Sequence, residues 1–209
     1  MKSAATSVAE YLDTLPPERR GPIDAVRKAI LRGMDADLRE CMQYGVVGYC
    51  VPHSVWPHGH HTKPELPLMY MGLSSQKNDM VVYMLFLKDH KAERAWFEKA
   101  WKATGRRSRL EIGGMGCCLR FKRAEDLSLE VVTEAMRRVP VKKYLEHHAA
   151  VLAKIGKGPG ANAWEKPRAV SGSGKRAGTK EQKTLGDGPA QDRERATKKT
   201  PRTSRVRRG

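Results

Sequence analysis

Apolar positions follow first a helical and then an alternating period. Val8, Tyr11, Leu12 and Leu15 fall on one helical face, and Ser7 with Glu10 three positions on supplies a capping-box start. Pro16-Pro17 closes this segment and opens a second helix, in which Ile23, Val26, Ile30 and Met34 recur until Gly33 and Asp35 break the pattern. Gly45 and Gly48 then bracket a β-prone stretch, Val46–Val51, ended by Pro52. Residues 66–73 and 80–87 read as two further strands joined by the polar turn 74–79 in hairpin fashion. The second of them is apolar on both alternating faces, as a central strand would be. Ala92, Trp96, Phe97, Ala100 and Trp101 return to helical spacing up to about Thr104. Arg106, Arg107, Ser108 and Arg109 read as a basic loop, residues 113–116 as too glycine-rich for regular structure, and 117–121 as a fourth strand. Leu127, Val131, Ala135 and Met136 predict a helix that Pro140 ends, and Tyr144, Leu145, His148 and Leu152 predict the last one.

The expected order is α-α-β-β-β-α-β-α-α. Successive strands joined by a hairpin imply an α+β fold, a small antiparallel sheet of about four strands packed by helices. The Trp96, Phe97 and Trp101 group is read as core packing, and no internal repeat is visible.

Charge divides the chain. Of its 209 residues, 40 are Lys or Arg and 23 Asp or Glu, a formal net charge of +17. Residues 1–154 hold 25 basic and 18 acidic side chains (+7), while residues 155–209 hold 15 and 5 (+10). That last quarter contains nine glycines and four prolines and few large apolar residues, so it is expected to be a disordered basic tail behind one domain of residues 1–154. Flexible cations can neutralise phosphates and release counterions. Arg193, Arg195, Lys198, Lys199, Arg202, Arg205, Arg207 and Arg208 are the expected contacts for non-specific nucleic acid. The longest apolar run, residues 80–87, is far short of the ~18 a membrane span needs. Without an apolar segment after Lys2, and with four unpatterned cysteines, the expected location is the cytoplasm with reduced thiols.

Candidate chemistry centres on His53, His58, His60 and His61 among Pro52, Pro57, Gly59 and Pro64. Imidazoles ligate transition metals, so iron or zinc is the metal to expect if this loop binds one; a simple exposed hairpin connection is the competing reading. Cys117 and Cys118 are read as buried strand cysteines acting as small hydrophobes. Neither a GxSxG elbow nor the Lys-Ser/Thr of a P-loop occurs, which leaves catalysis without specific residue support.

Several segments taken together resemble a known family. Residues 7–20, from Ser7-Val8-Ala9-Glu10-Tyr11-Leu12 to Arg19-Arg20, are similar to the V-x-x-Y-L-x-x-L-P-x-x-x-R opening of the YdhG-like family, a bacterial domain of unknown function. Glu40-Cys41-Met42-Gln43-Tyr44-Gly45-Val46-Val47-Gly48-Tyr49 resembles its E-x-I-x-Y-G-M-P-x-Y segment, with Val46-Val47 in place of Met-Pro. Residues 76–84 resemble its x-K-x-H-I-S-L-Y strand, with Asp79 near the usual His, and 117–121 its late G-x-x-x-R-F strand. The resemblance covers about residues 7–153 and implies a non-catalytic ligand- or partner-binding module, with Tyr44, Gly45, Tyr49, Lys77 and Tyr83 along a cleft. Some members are described as frataxin-like iron chaperones, which makes metal handling the alternative implication.

Overall fold

The computed structural model describes residues 3–114 and 116–156. Helices α1 (Val8–Asp13) and α2 (Pro17–Gly33) lead into strands β1 (Arg39–Gln43), β2 (Val46–Val51), β3 (Leu68–Ser75) and β4 (Met80–Met84). A 3-10 turn at Leu85–Leu87 precedes α3 (Lys91–Ala103), β5 (Arg109–Gly113), β6 (Gly116–Phe121), α4 (Leu129–Arg138) and α5 (Val141–Lys154). The six strands form one antiparallel sheet in the order β1-β2-β3-β4-β6-β5. The α+β class is as the periodicity implies, and among the described residues no helix is long and apolar enough to cross a membrane.

The strand count is six rather than four. Both additional strands are polar edge strands. In β1, Glu40 makes a two-pronged ion pair with Arg27 of α2, at 2.8 and 2.7 Å, and Gln43 donates to the Pro67 carbonyl at 3.1 Å. In β5, which starts inside the segment read as a basic loop, Glu111 accepts from Arg120 of β6 at 2.8 Å. The partners that make such strands possible lie elsewhere in the chain, 9 to 24 residues away, so no alternation within the strand announces them. The glycine-rich stretch is likewise the β5–β6 hairpin: Gly113 pairs with Gly116, whose φ of 93° and whose approach to the Met84 carbonyl leave no room for a Cβ.

Other boundaries move little, each for a local reason. Ser7 caps α1 by accepting from Glu10 N–H at 3.2 Å, while the Glu10 carboxylate turns back to the Thr6 N–H and hydroxyl. Residues 85–87 leave the strand for the 3-10 turn, which places Phe86 flat against Tyr70 at 4.4 Å between ring centroids.

Alternation assigns the sheet two faces. Val47, Tyr49, Leu73, Met80, Val82, Cys117, Leu119 and Phe121 point into the core with Ile23, Val26, Ile30, Phe97 and Val132 from the helices. Cys41, Gln43, Gly48, Tyr83, Cys118 and Arg120 occupy the intervening positions and so face the other way. Tyr70 anchors the core to the α4–α5 junction: its buried hydroxyl donates to the Val139 carbonyl at 2.7 Å. Asp35 reinforces the junction by accepting from Val141 N–H at 3.1 Å. Replacing Tyr70→Phe keeps the ring and strands a buried carbonyl, so unfolding in urea should show a loss of about 1–3 kcal/mol; an unchanged midpoint would dismiss the anchor.

Candidate functional site

Tyr44 and Gly45 form the two-residue turn between β1 and β2, with φ of 56° and 75°. Two positive φ values define the tight hairpin turn whose twist suits paired strands, normally an Asn-Gly site. A tyrosine there is strained by roughly 1–3 kcal/mol. Its ring is 42 % exposed, and Lys63 Nζ lies 5.9 Å from the ring centroid. Tyr44 lines two hollows, which also share Met69 and Leu85.

The first hollow, about 420 Å³, gathers five imidazoles: His60 and His61 from the β2–β3 connection, His90 at the start of α3, and His147 and His148 of α5. His60 and His61 lie 4.6 Å apart between centroids, His90 and His147 4.7 Å, and His61 and His148 6.3 Å. Burial, reinforced by the neighbouring rings, lowers the pKa of His60 and His90 and takes that of His148 down to about 4. These three rings are therefore neutral at pH 7, and the Nε2 atoms of His90 and His148 are buried without a hydrogen-bond partner.

The second hollow, about 560 Å³, has an apolar wall of Tyr44, Val46, Met69, Leu85 and Ile112 and a polar wall of Gln76, Tyr83, Glu111, Cys118 and Arg120. The polar groups form a chain. Arg120 donates to Glu111 at 2.8 Å and to Gln76 Oε1 at 3.0 Å, and the Gln76 amide in turn donates to the Tyr83 hydroxyl. Within this wall Arg120 and Glu111 are paired side by side, and Arg109, outside the hollow, also holds the Glu111 carboxylate at 2.8 Å. Burial raises the Cys118 thiol's pKa, leaving it protonated and a poor nucleophile.

The residues singled out from sequence separate in space. Tyr44 and Tyr83 meet on the second hollow, with Gly45 in the turn beside them. Tyr49 lies in the core because its position alternates with Gly48, and its hydroxyl is buried beside Glu40 and Arg27. Lys77 is exposed in the β3–β4 turn, where its carbonyl accepts from Arg19 at 3.5 Å, and it lines neither hollow. The four loop histidines do not converge. His53 Nε2–H donates to the Pro64 carbonyl at 2.7 Å, and His58 packs edge-on to buried Trp56 at 5.1 Å; only His60 and His61 reach the first hollow. Among the described residues no three His, Cys, Asp or Glu side chains are placed to hold a metal ion. The cations from Arg193 to Arg208 lie outside the described residues. His90, His147, His148, Gln76, Glu111 and Arg120 are not apparent as site residues in the sequence, since they come from five separate segments.

The chain matches no protein-family model, no curated protein and no solved structure.

Two measurements test this geometry. His148 faces His60, His61, His147 and Asp89, and its folded-state pKa lies below its unfolded one. The unfolded chain therefore takes up the proton first, and the stability present above pH 6.5 is lost as pH falls towards 4. At ~1.4 kcal/mol per pKa unit, reduced for solvent screening at a partly exposed ring, the loss is about 2 kcal/mol. His148→Gln should flatten the pH 7.5-to-4.5 urea stability difference by that amount; an unaltered difference refutes the assignment. Tyr44→Asn should raise stability by about 1 kcal/mol by relieving the turn, and a lower melting temperature would contradict the strain.

Proposed function

We propose that the chain is a ligand-binding module that holds a small amphipathic molecule with an uncharged hydrogen-bonding head in the second hollow. The observation that carries the reading is the pairing of an apolar wall with a converging, internally neutralised Tyr83-Gln76-Arg120-Glu111 chain. A volume of about 560 Å³ suits a compact organic molecule. Tyr83 and Gln76 offer donors and acceptors, while the Arg120–Glu111 pair cancels any strong preference for a charged head. The strained Tyr44 adds support, because backbone strain clusters where a side chain has work beyond folding. The role is binding rather than catalysis: the thiol in the wall is protonated and the carboxylate is engaged by arginines. The family resemblance agrees with this reading through Tyr44 and Tyr83.

Ligand-observed NMR with matched aliphatic and aryl amides and carboxylates tests it on the full chain. Saturable binding should favour the amides, weaken about tenfold in Tyr83→Phe, equivalent to ~1.4 kcal/mol, and vanish in Val46→Trp, which fills the apolar end. Failure of every compound to bind saturably, or binding indifferent to Val46→Trp, overturns the proposal.

A further inference from the structure

Cys41 and Cys50 stand on neighbouring strands, and the fold brings their sulfurs to 3.1 Å from each other. Their backbones are offset across the β1–β2 ladder: Cys41 pairs with Gly48, and Cys50 with Arg39. The space for two sulfurs comes from Gly48. A Cβ there would stand 3.1 Å from Cys50 Sγ, 3.5 Å from Cys41 Sγ and 3.1 Å from Met69 Cε. A side chain there would require the sulfurs or Met69 to give by a few tenths of an ångström. Cys41 is partly exposed on edge strand β1, whereas Cys50 is buried at 1 % exposure and its thiol donates to Gln43 Oε1 at 3.0 Å.

We infer that Cys41 and Cys50 form a peroxide-reactive dithiol, with Cys41 as the attacking sulfur and Cys50 as the resolving one. The Cys41 thiolate attacks one oxygen of a hydroperoxide. The O–O bond breaks, the second oxygen leaves as hydroxide or alkoxide, and Cys41 becomes a sulfenic acid. The Cys50 sulfur then attacks Cys41 and forms the S–S bond. The sulfenic oxygen leaves with the Cys50 proton as water, so two thiols and one hydroperoxide become one disulfide, one water and one water or alcohol. The sulfurs need move only about 1 Å to reach bonding distance, ~2.05 Å.

The division of roles follows from the surroundings. In the resting pair Cys41 donates to the Cys50 sulfur and Cys50 to Gln43. Once Cys41 ionises, the Cys50 S–H can turn to it, which lowers the Cys41 thiol's pKa, while the same contact and burial raise that of Cys50. Burial raises Cys117 to about 12 and also raises Cys118, which leaves Cys41 the thiol, among the described residues, best suited to be a thiolate. A reactive thiol at the accessible edge with a resolving thiol behind it is the arrangement reversible oxidation requires. Met69, which touches the space over Gly48, also lines both hollows, so the dithiol adjoins the binding cleft.

The test treats the full-length protein with limiting hydrogen peroxide, blocks remaining thiols and maps the products by mass spectrometry without reduction. The tryptic fragment containing both Cys41 and Cys50 should lose two hydrogens, and chymotryptic cleavage after Tyr44 or Tyr49 should leave fragments joined through those cysteines. Cys117 and Cys118 should be recovered blocked, and dithiothreitol should restore all four thiols. Cys50→Ala should accumulate a Cys41 sulfenic acid trapped by dimedone, and Cys41→Ser should slow peroxide consumption by about tenfold or more. A Cys117–Cys118 bridge, an intermolecular Cys41 bridge as the main product, or unchanged masses at peroxide-to-protein parity would overturn the inference. Because these readouts use no ligand, their failure leaves the cleft proposal to its own test.

Discussion

Two glycines that face each other, Gly48 on β2 and Gly72 on β3, organise the sheet face opposite α2. Glycine in a strand interior weakens the strand and marks a place where something else comes close. Here Tyr83 lies over Gly72, with Cδ2 3.4 Å from where a Cβ would sit, and the two thiols lie over Gly48. A Cβ at Gly48 would crowd the sulfurs and Met69, whereas one at Gly72 would reach the Tyr83 ring at ordinary contact distance. The cleft and the dithiol thus border one bare patch in the middle of the sheet.

The polar groups around that patch hydrogen-bond to one another. Gln43 bridges the Cys50 thiol and the Pro67 carbonyl, and Gln76 bridges Tyr83 and Arg120. In a partly desolvated hollow such a chain is stable only when its members find partners, which makes its geometry specific. The histidine hollow follows a different logic. Its rings are brought together by packing on Trp56, Tyr144 and one another, and burial keeps His60, His90 and His148 neutral. It collects potential ligands without the convergent geometry a metal needs, which is how seven histidines in the chain coexist with no metal-ready cluster among the described residues.

Elements that bury an apolar stripe are legible in the sequence. The helices carrying Ile23, Val26 and Ile30, or Phe97 and Trp101, and the strand Val46–Val51 stand where periodicity places them, because each must bury its own face. The edge strands were not legible. Arg39–Gln43 and Arg109–Gly113 are stabilised by Arg27 and Arg120, and nothing in their own composition advertises that support. The site behaved likewise. Tyr44 and Tyr83 stood out through the family resemblance, but the same resemblance enrolled Tyr49 and Lys77, which strand alternation and turn position carry elsewhere.

The sequence by itself determined the α+β class, the separation of a modestly basic segment from a strongly basic one, and the apolar stripes of the main helices and central strands. Each of these depends on local period or on counting. Tertiary structure decided which residues meet: five imidazoles from three segments around one hollow, a polar chain across β3, β4, β5 and β6, and two sulfurs nine residues apart held at 3.1 Å. The meetings on the strands depend on register, and the sulfur pair also on the absence of a Cβ at Gly48. A shift of one residue in a strand's register would send its Cys or Arg to the opposite face of the sheet.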